Sequence, residues 1–121
     1  MTLKECYAAM GGNYDEVMGR LRSERLVQKF VLKFLDDGSF DLLCRSMEGA
    51  DYEEAFRAAH TIKGVCSNLA FNELLDSGSQ LTEALRGGNC GPEVERLYEQ
   101  VKADYARTVQ AIRAFQEGAG G

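Results

Sequence analysis

Along most of this chain apolar residues recur at three- and four-residue intervals, and glycines break the pattern before most segments grow long. That periodicity belongs to amphipathic helices, each hiding one stripe. A single proline and few alternating β-branched runs point away from strands. Leu3, Cys6, Tyr7 and Met10 make a short stripe that Gly11-Gly12 ends. Asn13 with Glu16 reads as a capping box for a second short helix carrying Tyr14, Val17, Met18 and Leu21. Ser23 opens a stronger helix with Leu26, Val27, Phe30, Val31, Phe34 and Leu35 on one broad face, running to Asp36-Asp37-Gly38. Beyond Gly38 the stripe changes phase to Phe40, Leu43, Cys44 and Met47, which predicts a break with Ser39 as the new cap.

Gly49 closes that segment, and Asp51 with Glu54 caps a helix whose stripe is Ala55, Ala58, Ile62, Val65, Cys66 and Leu69. The turn is short, so the two helices are expected to pack antiparallel. Asn72 starts the next helix, with Leu74, Leu75, Leu81 and Leu85 in register, Gly78 read as a mark of close helix packing, and Gly87-Gly88 as the stop. Gly91-Pro92 starts a last helix along Val94, Leu97, Val101, Tyr105, Val109, Ile112 and Phe115. The four longest helices, near 24–36, 51–70, 72–86 and 92–117, predict an all-α fold, an antiparallel four-helix bundle with short additional N-terminal helices packed on an end. One domain is expected over 1–117, and 118–121 as a disordered tail. A chain of 121 residues is large enough to bury its core without disulfide or metal staples.

The only histidine, His60, stands mid-helix. At roughly 100° per residue it falls nearly opposite Ile62 and Leu69 and therefore faces water. Glu53, Phe56, Arg57, Lys63, Gly64 and Ser67 lie within roughly 60° of it on the same projection. Neutral imidazole is a nitrogen nucleophile available near neutral pH. Lys63 one turn on and Arg57 nearly one turn before supply positive charge for an N-phosphoryl adduct. Gly64 costs the helix roughly 0.5–1 kcal/mol relative to alanine, and its missing side chain lets another molecule approach beside His60.

The run Ala58-Ala59-His60-Thr61-Ile62-Lys63-Gly64-Val65-Cys66-Ser67-Asn68-Leu69 resembles the signature of histidine phosphotransfer (HPt) domains, and the total length suits a free-standing, bacterial-type module. The resemblance implies that His60 accepts the phosphoryl group, Lys63 favours the phosphorylated state and Gly64 clears room for the partner. It implies response-regulator receiver domains as partners, which bring their own Mg²⁺, with a sensor histidine kinase as a further candidate. Phe56, Arg57, Ser67 and Asn68 are the candidate partner-binding residues around the histidine. Ala70 departs from the family, which more often has glycine there; alanine is helix-compatible and is expected to lengthen the helix slightly.

Other chemistries find little support. With 14 Lys plus Arg against 19 Asp plus Glu, the net charge of −5 disfavours nucleic acid. No apolar stretch approaches the roughly 20 residues needed to span a bilayer, and no signal-peptide pattern opens the chain, so a cytoplasmic monomer is expected. Cys6, Cys44, Cys66 and Cys90 are widely spaced; they are read as buried reduced thiols, and no metal site or cofactor is expected. No glycine-rich phosphate loop is present, so the chain is expected to carry phosphoryl groups without ATP binding or autokinase activity of its own. The residue three before His60 is Arg57, which removes the E-x-x-H pair of di-iron bundles. A hydrolase would need a base, and the one histidine faces solvent. Phe30, Phe34, Phe56 and Tyr105 are read as core or rim packing. The alternative to a phosphorelay intermediate is a helical adaptor that binds a receiver or kinase without being phosphorylated; a purely structural bundle is the third reading.

Overall fold

A computed structural model describes residues 1–120. Its elements are α1 (Leu3–Met10), α2 (Tyr14–Leu21), α3 (Glu24–Lys33), a 3-10 turn (Phe34–Asp36), α4 (Ser39–Glu48), α5 (Tyr52–Leu69), α6 (Asn72–Leu85) and α7 (Pro92–Gly120). The fold is an all-α helical bundle, with no strand among the described residues. α4 packs along α5, α5 along α6 and α6 along α7. Phe40 of α4 stacks on Tyr105 of α7 at 3.8 Å between ring centroids, which closes the circuit. The expected 24–36 helix is two pieces, and α4 rather than a continuous α3 takes the fourth place beside α5. The last helix runs to Gly120, into the segment expected as a tail; Gly121 lies outside the described residues.

Local chemistry explains the boundaries. Thr2 and Glu5 form a reciprocal capping box that starts α1. The Asn13 side chain accepts from the Glu16 N–H, but its own N–H donates to the Ala70 carbonyl at 2.9 Å, so the expected box is only half formed. At α4, Gly38 occupies the cap position and Ser39 is the first helical residue; the Asp37 carboxylate accepts the Ser39 N–H at 2.8 Å, so aspartate does the work expected of serine. Asp51 caps α5 by accepting from the Glu54 N–H at 3.2 Å, while its own N–H donates to the Ser46 carbonyl at 2.8 Å, so this box too is half formed.

The α5–α6 junction is where most of the chain meets. Ala70 ends α5 at φ 58°, ψ 41°, and the Phe71 N–H reaches back to the Cys66 carbonyl at 3.0 Å. This is a Schellman-type stop. The helix therefore halts at Leu69 instead of lengthening through Ala70, and the family's usual glycine suits the left-handed backbone. Tyr7 Oη donates to the Leu69 carbonyl at 2.7 Å, and Arg20 donates to the carbonyls of Ser67 (2.7 Å) and Asn68 (2.9 Å). These carbonyls are among those that a helix end leaves unsatisfied. Gly12 is required here, since a Cβ would lie 2.8 Å from the Ala70 carbonyl oxygen. On the far side, Arg107 of α7 donates to the Ala9 carbonyl at 2.8 Å and pairs with Glu73.

The strained Ala70 yields a prediction. Left-handed backbone costs an L-residue roughly 1–2 kcal/mol, partly offset because glycine also gains freedom in the unfolded chain. Ala70→Gly is expected to stabilise the fold by about 0.5–1 kcal/mol in urea denaturation. A loss of stability would mean that burial of the Ala70 methyl outweighs the backbone strain.

Two other expectations are corrected. An alanine Cβ at Gly78 would meet Ile62 at an ordinary 3.9 Å, so close helix packing does not require glycine there. Cys6 and Cys66 are buried, and burial pushes their thiols up to about 11 and about 12. Cys44 is only half-buried and Cys90 is exposed, because Cys90 sits in the α6–α7 loop rather than on a stripe.

Candidate functional site

His60 lies midway along α5 with its side chain exposed. The helix is amphipathic in the way its sequence dictates: Ala55, Ala58, Ala59, Ile62, Cys66 and Leu69 are buried, which leaves the opposite stripe to solvent. One turn earlier, the Phe56 ring lies nearly parallel to the imidazole, 6.1 Å between centroids and 13° between planes. Phe56 is only partly covered. Part of its cover comes from the residue that caps the end of α6: the Arg86 guanidinium carbon sits 5.1 Å from the Phe56 centroid, a cation–π contact. Arg86 also donates to both carboxylate oxygens of Glu83, at 3.1 and 2.7 Å.

The cations are arranged differently from the sequence reading. Arg57 donates through Nε and Nη2 to one Glu54 oxygen, at 3.2 and 2.5 Å, so its charge is committed toward the start of α5. Lys63, one turn beyond His60, is half-buried. The Glu83 carboxyl is held below its ordinary value, first by hydrogen bonding from Arg86, then by that guanidinium's charge, and more weakly by the charge of Lys63. Glu83 and Arg86 thus form a charged pair at the end of α6, over the Phe56 ring of the histidine stripe.

Gly64 is the clearest feature. A Cβ built there would meet nothing within 4 Å, so no packing inside the molecule accounts for a glycine in mid-helix. Ser67 and Asn68 are exposed beyond it. A groove of about 360 Å³ runs between α2, α3 and α5, lined by Leu21, Phe30, Lys33, Val65 and Asn68 among others. Phe30, expected on the buried face of α3, is 37% exposed; Val27 and Val31 are the residues of that helix buried in the core, with Leu32 packed against it.

Arg86, Glu83, Arg20 and Phe30 were not among the residues singled out around the histidine. The glycine pair after Arg86 marks the end of α6, but only the antiparallel packing of α6 on α5 brings that end to Phe56. Among the described residues no three His, Cys, Asp or Glu side chains are grouped so as to hold a metal ion, and no helix is long and apolar enough to cross a membrane.

A family model described as Hpt domain matches residues 24–113, about three quarters of the chain. The chain belongs to the Hpt domain family. No curated protein and no solved structure matches it. Hpt domains are phosphotransfer modules of two-component phosphorelays, working with receiver domains and kinases and lacking kinase activity themselves, and this chain takes its place in that kind of signalling. The Hpt match begins after α2, so Tyr7 and Arg20, which hold the end of α5, come from helices outside the matched segment.

Proposed function

We propose that this Hpt domain is a phosphorelay intermediate with His60 as its phosphoacceptor. Nε2 of the imidazole attacks the phosphorus of a receiver's aspartyl phosphate; the N–P bond forms as the acyl O–P bond breaks, and the aspartate carboxylate leaves. The reverse step delivers the group to the aspartate of another receiver. The observation that carries the reading is an exposed imidazole beside a helical glycine whose side-chain direction is empty. A partner can bring its backbone against α5 at Gly64, and Lys63 offers charge to the phosphoryl oxygens. The receiver supplies the acidic pocket and Mg²⁺, so catalysis belongs to the complex and draws mainly on positioning and electrostatics. Phe56, Ser67 and Asn68 form the rim of the docking surface, and the α2–α3–α5 groove extends it; Arg57, paired with Glu54, takes a lesser part.

Incubation with phosphorylated receivers and Mg²⁺ tests this. An acid-labile, alkali-stable phosphate on the protein is expected, and its absence across a broad receiver panel would overturn the reading. Gly64 gives a second prediction in which stability and function move in opposite directions. Gly64→Ala is expected to stabilise the fold by about 0.5–1 kcal/mol, because the methyl group meets nothing and the helix gains propensity. Gly64→Trp, folded but obstructed, is expected to slow transfer by about a hundredfold, since displacing the reacting centres by an ångström or so costs that much. Denaturant titration and single-turnover transfer read the two effects, and unimpaired transfer by Gly64→Trp would mean that no partner approaches there.

A further inference from the structure

We propose that Arg86 is the second cation of the phosphohistidine site, contributed by α6 and exchanged from Glu83 to the phosphoryl group when His60 is modified. The inference rests on His60 being the phosphoacceptor. Lys63 lies on the C-terminal side of the histidine along α5. The end of α6 lies on its N-terminal side, where Arg86 covers Phe56 and a Cβ at Gly88 would be 3.4 Å from the Glu53 side chain. The two cations therefore flank the imidazole along the helix. Arg57, the other basic residue within a turn of His60, pairs with Glu54, whose side chain is 33% exposed against 60% for Glu83, so Arg57 is the less readily released of the two arginines.

Phe56 gives Arg86 its position. A guanidinium stacks on an aromatic face through its flat, weakly hydrated surface, which leaves its in-plane N–H groups free to bind oxygens. In the unmodified protein those donors engage Glu83. That pair is exposed, 59% and 60% at the two side chains, and pairs of this kind add little stability and exchange readily. A phosphoryl group carries nearly twice the charge of a carboxylate and three acceptor oxygens, so it outcompetes Glu83 for the same donors. Glu83 keeps the arginine extended over the ring until then and neutralises charge that would otherwise sit beside Lys63.

Phosphoramidate separates this proposal from partner docking. It phosphorylates an accessible imidazole directly: its P–N bond breaks as the imidazole N–P bond forms, and ammonia leaves with the displaced proton. Loss of the phosphohistidine ³¹P signal at neutral pH then gives the adduct's lifetime. Arg86→Ala is expected to shorten that lifetime about three- to tenfold, the size of effect one nearby cation exerts on a partly solvated dianion. Arg86→Lys should restore most of it, Phe56→Leu should give an intermediate loss, and 1 M salt should shrink all the differences. Thermal melts keep the comparison to folded protein. Equal lifetimes for wild type and folded Arg86→Ala would overturn the proposal, as would Arg86→Lys behaving like alanine. Failure of the parent reading looks different: His60 would take phosphoryl groups from phosphoramidate but from no receiver.

Discussion

His60→Gln is expected to abolish the acid-labile phosphate completely while leaving stability within about 0.5 kcal/mol of wild type. The two halves of that expectation come from different observations. The imidazole is exposed and stacks only loosely on Phe56, so little packing is lost with it. Glutamine also has somewhat better helix propensity than histidine. Chemically the change is total: the amide nitrogen's lone pair is delocalised into its carbonyl, and no other histidine exists to take over. Transfer from a phosphorylated receiver, followed by acid and alkali treatment, reads the chemistry, and a thermal melt reads the fold. Label persisting on His60→Gln would place the acceptor elsewhere. An adaptor would behave in a third way, retaining receiver binding and biological effect in His60→Gln while even wild type stayed unlabelled.

The apolar periodicity carried most of the fold because each helix buries a stripe against its neighbours, and such stripes can be counted. The buried set of α5 follows the three- and four-residue spacing closely, which leaves His60 in water as the sequence requires. Boundaries were less legible where the deciding partner is distant in sequence. Ala70 reads locally as a helix former, but Asn13 and Tyr7 fix the turn around it from far along the chain, and these tertiary bonds override propensity. Asn13 likewise reads as a box with Glu16, although its N–H is taken by the Ala70 carbonyl. At the site, the residues of one helix could be placed by their 100° steps, and His60, Lys63 and Gly64 stood out that way. Arg86 and Glu83 could not, since nothing local says which turn of α6 lies against which turn of α5. Phe30 escaped for the converse reason: it is on the apolar stripe, but the stripe is wider than the surface its neighbours cover.

Phe71→Ala is expected to destabilise the protein by about 3–5 kcal/mol, the range for truncating a fully buried aromatic ring. Phe71 has no exposed surface and stands where α5 passes into α6. Its ring meets Phe34 edge-on at 5.1 Å and Tyr7 at 5.7 Å. Phe34 continues to Tyr105 and on to Phe40, and Tyr7 to Tyr14, so one chain of rings ties α1, α2, the 3-10 turn, α4 and α7 to this junction. Removing the central ring leaves a cavity and breaks contacts worth about 0.5–1.5 kcal/mol per aromatic pair beyond burial. Against a typical total of about 5–15 kcal/mol this is a large fraction, and the melting temperature should fall by roughly 10–20 °C. A loss below about 1 kcal/mol in urea would mean that the neighbouring rings close over the gap. The chemistry should be spared nonetheless. Phe71 is eleven residues from His60, roughly 16 Å along the helix axis, and the groups around the histidine are held by α5 and α6 themselves. At a temperature well below its lowered midpoint, Phe71→Ala is therefore expected to accept phosphate from a receiver at close to the wild-type rate. A deep loss of transfer in protein still folded by circular dichroism would show instead that the junction sets the angle at which α5 presents His60.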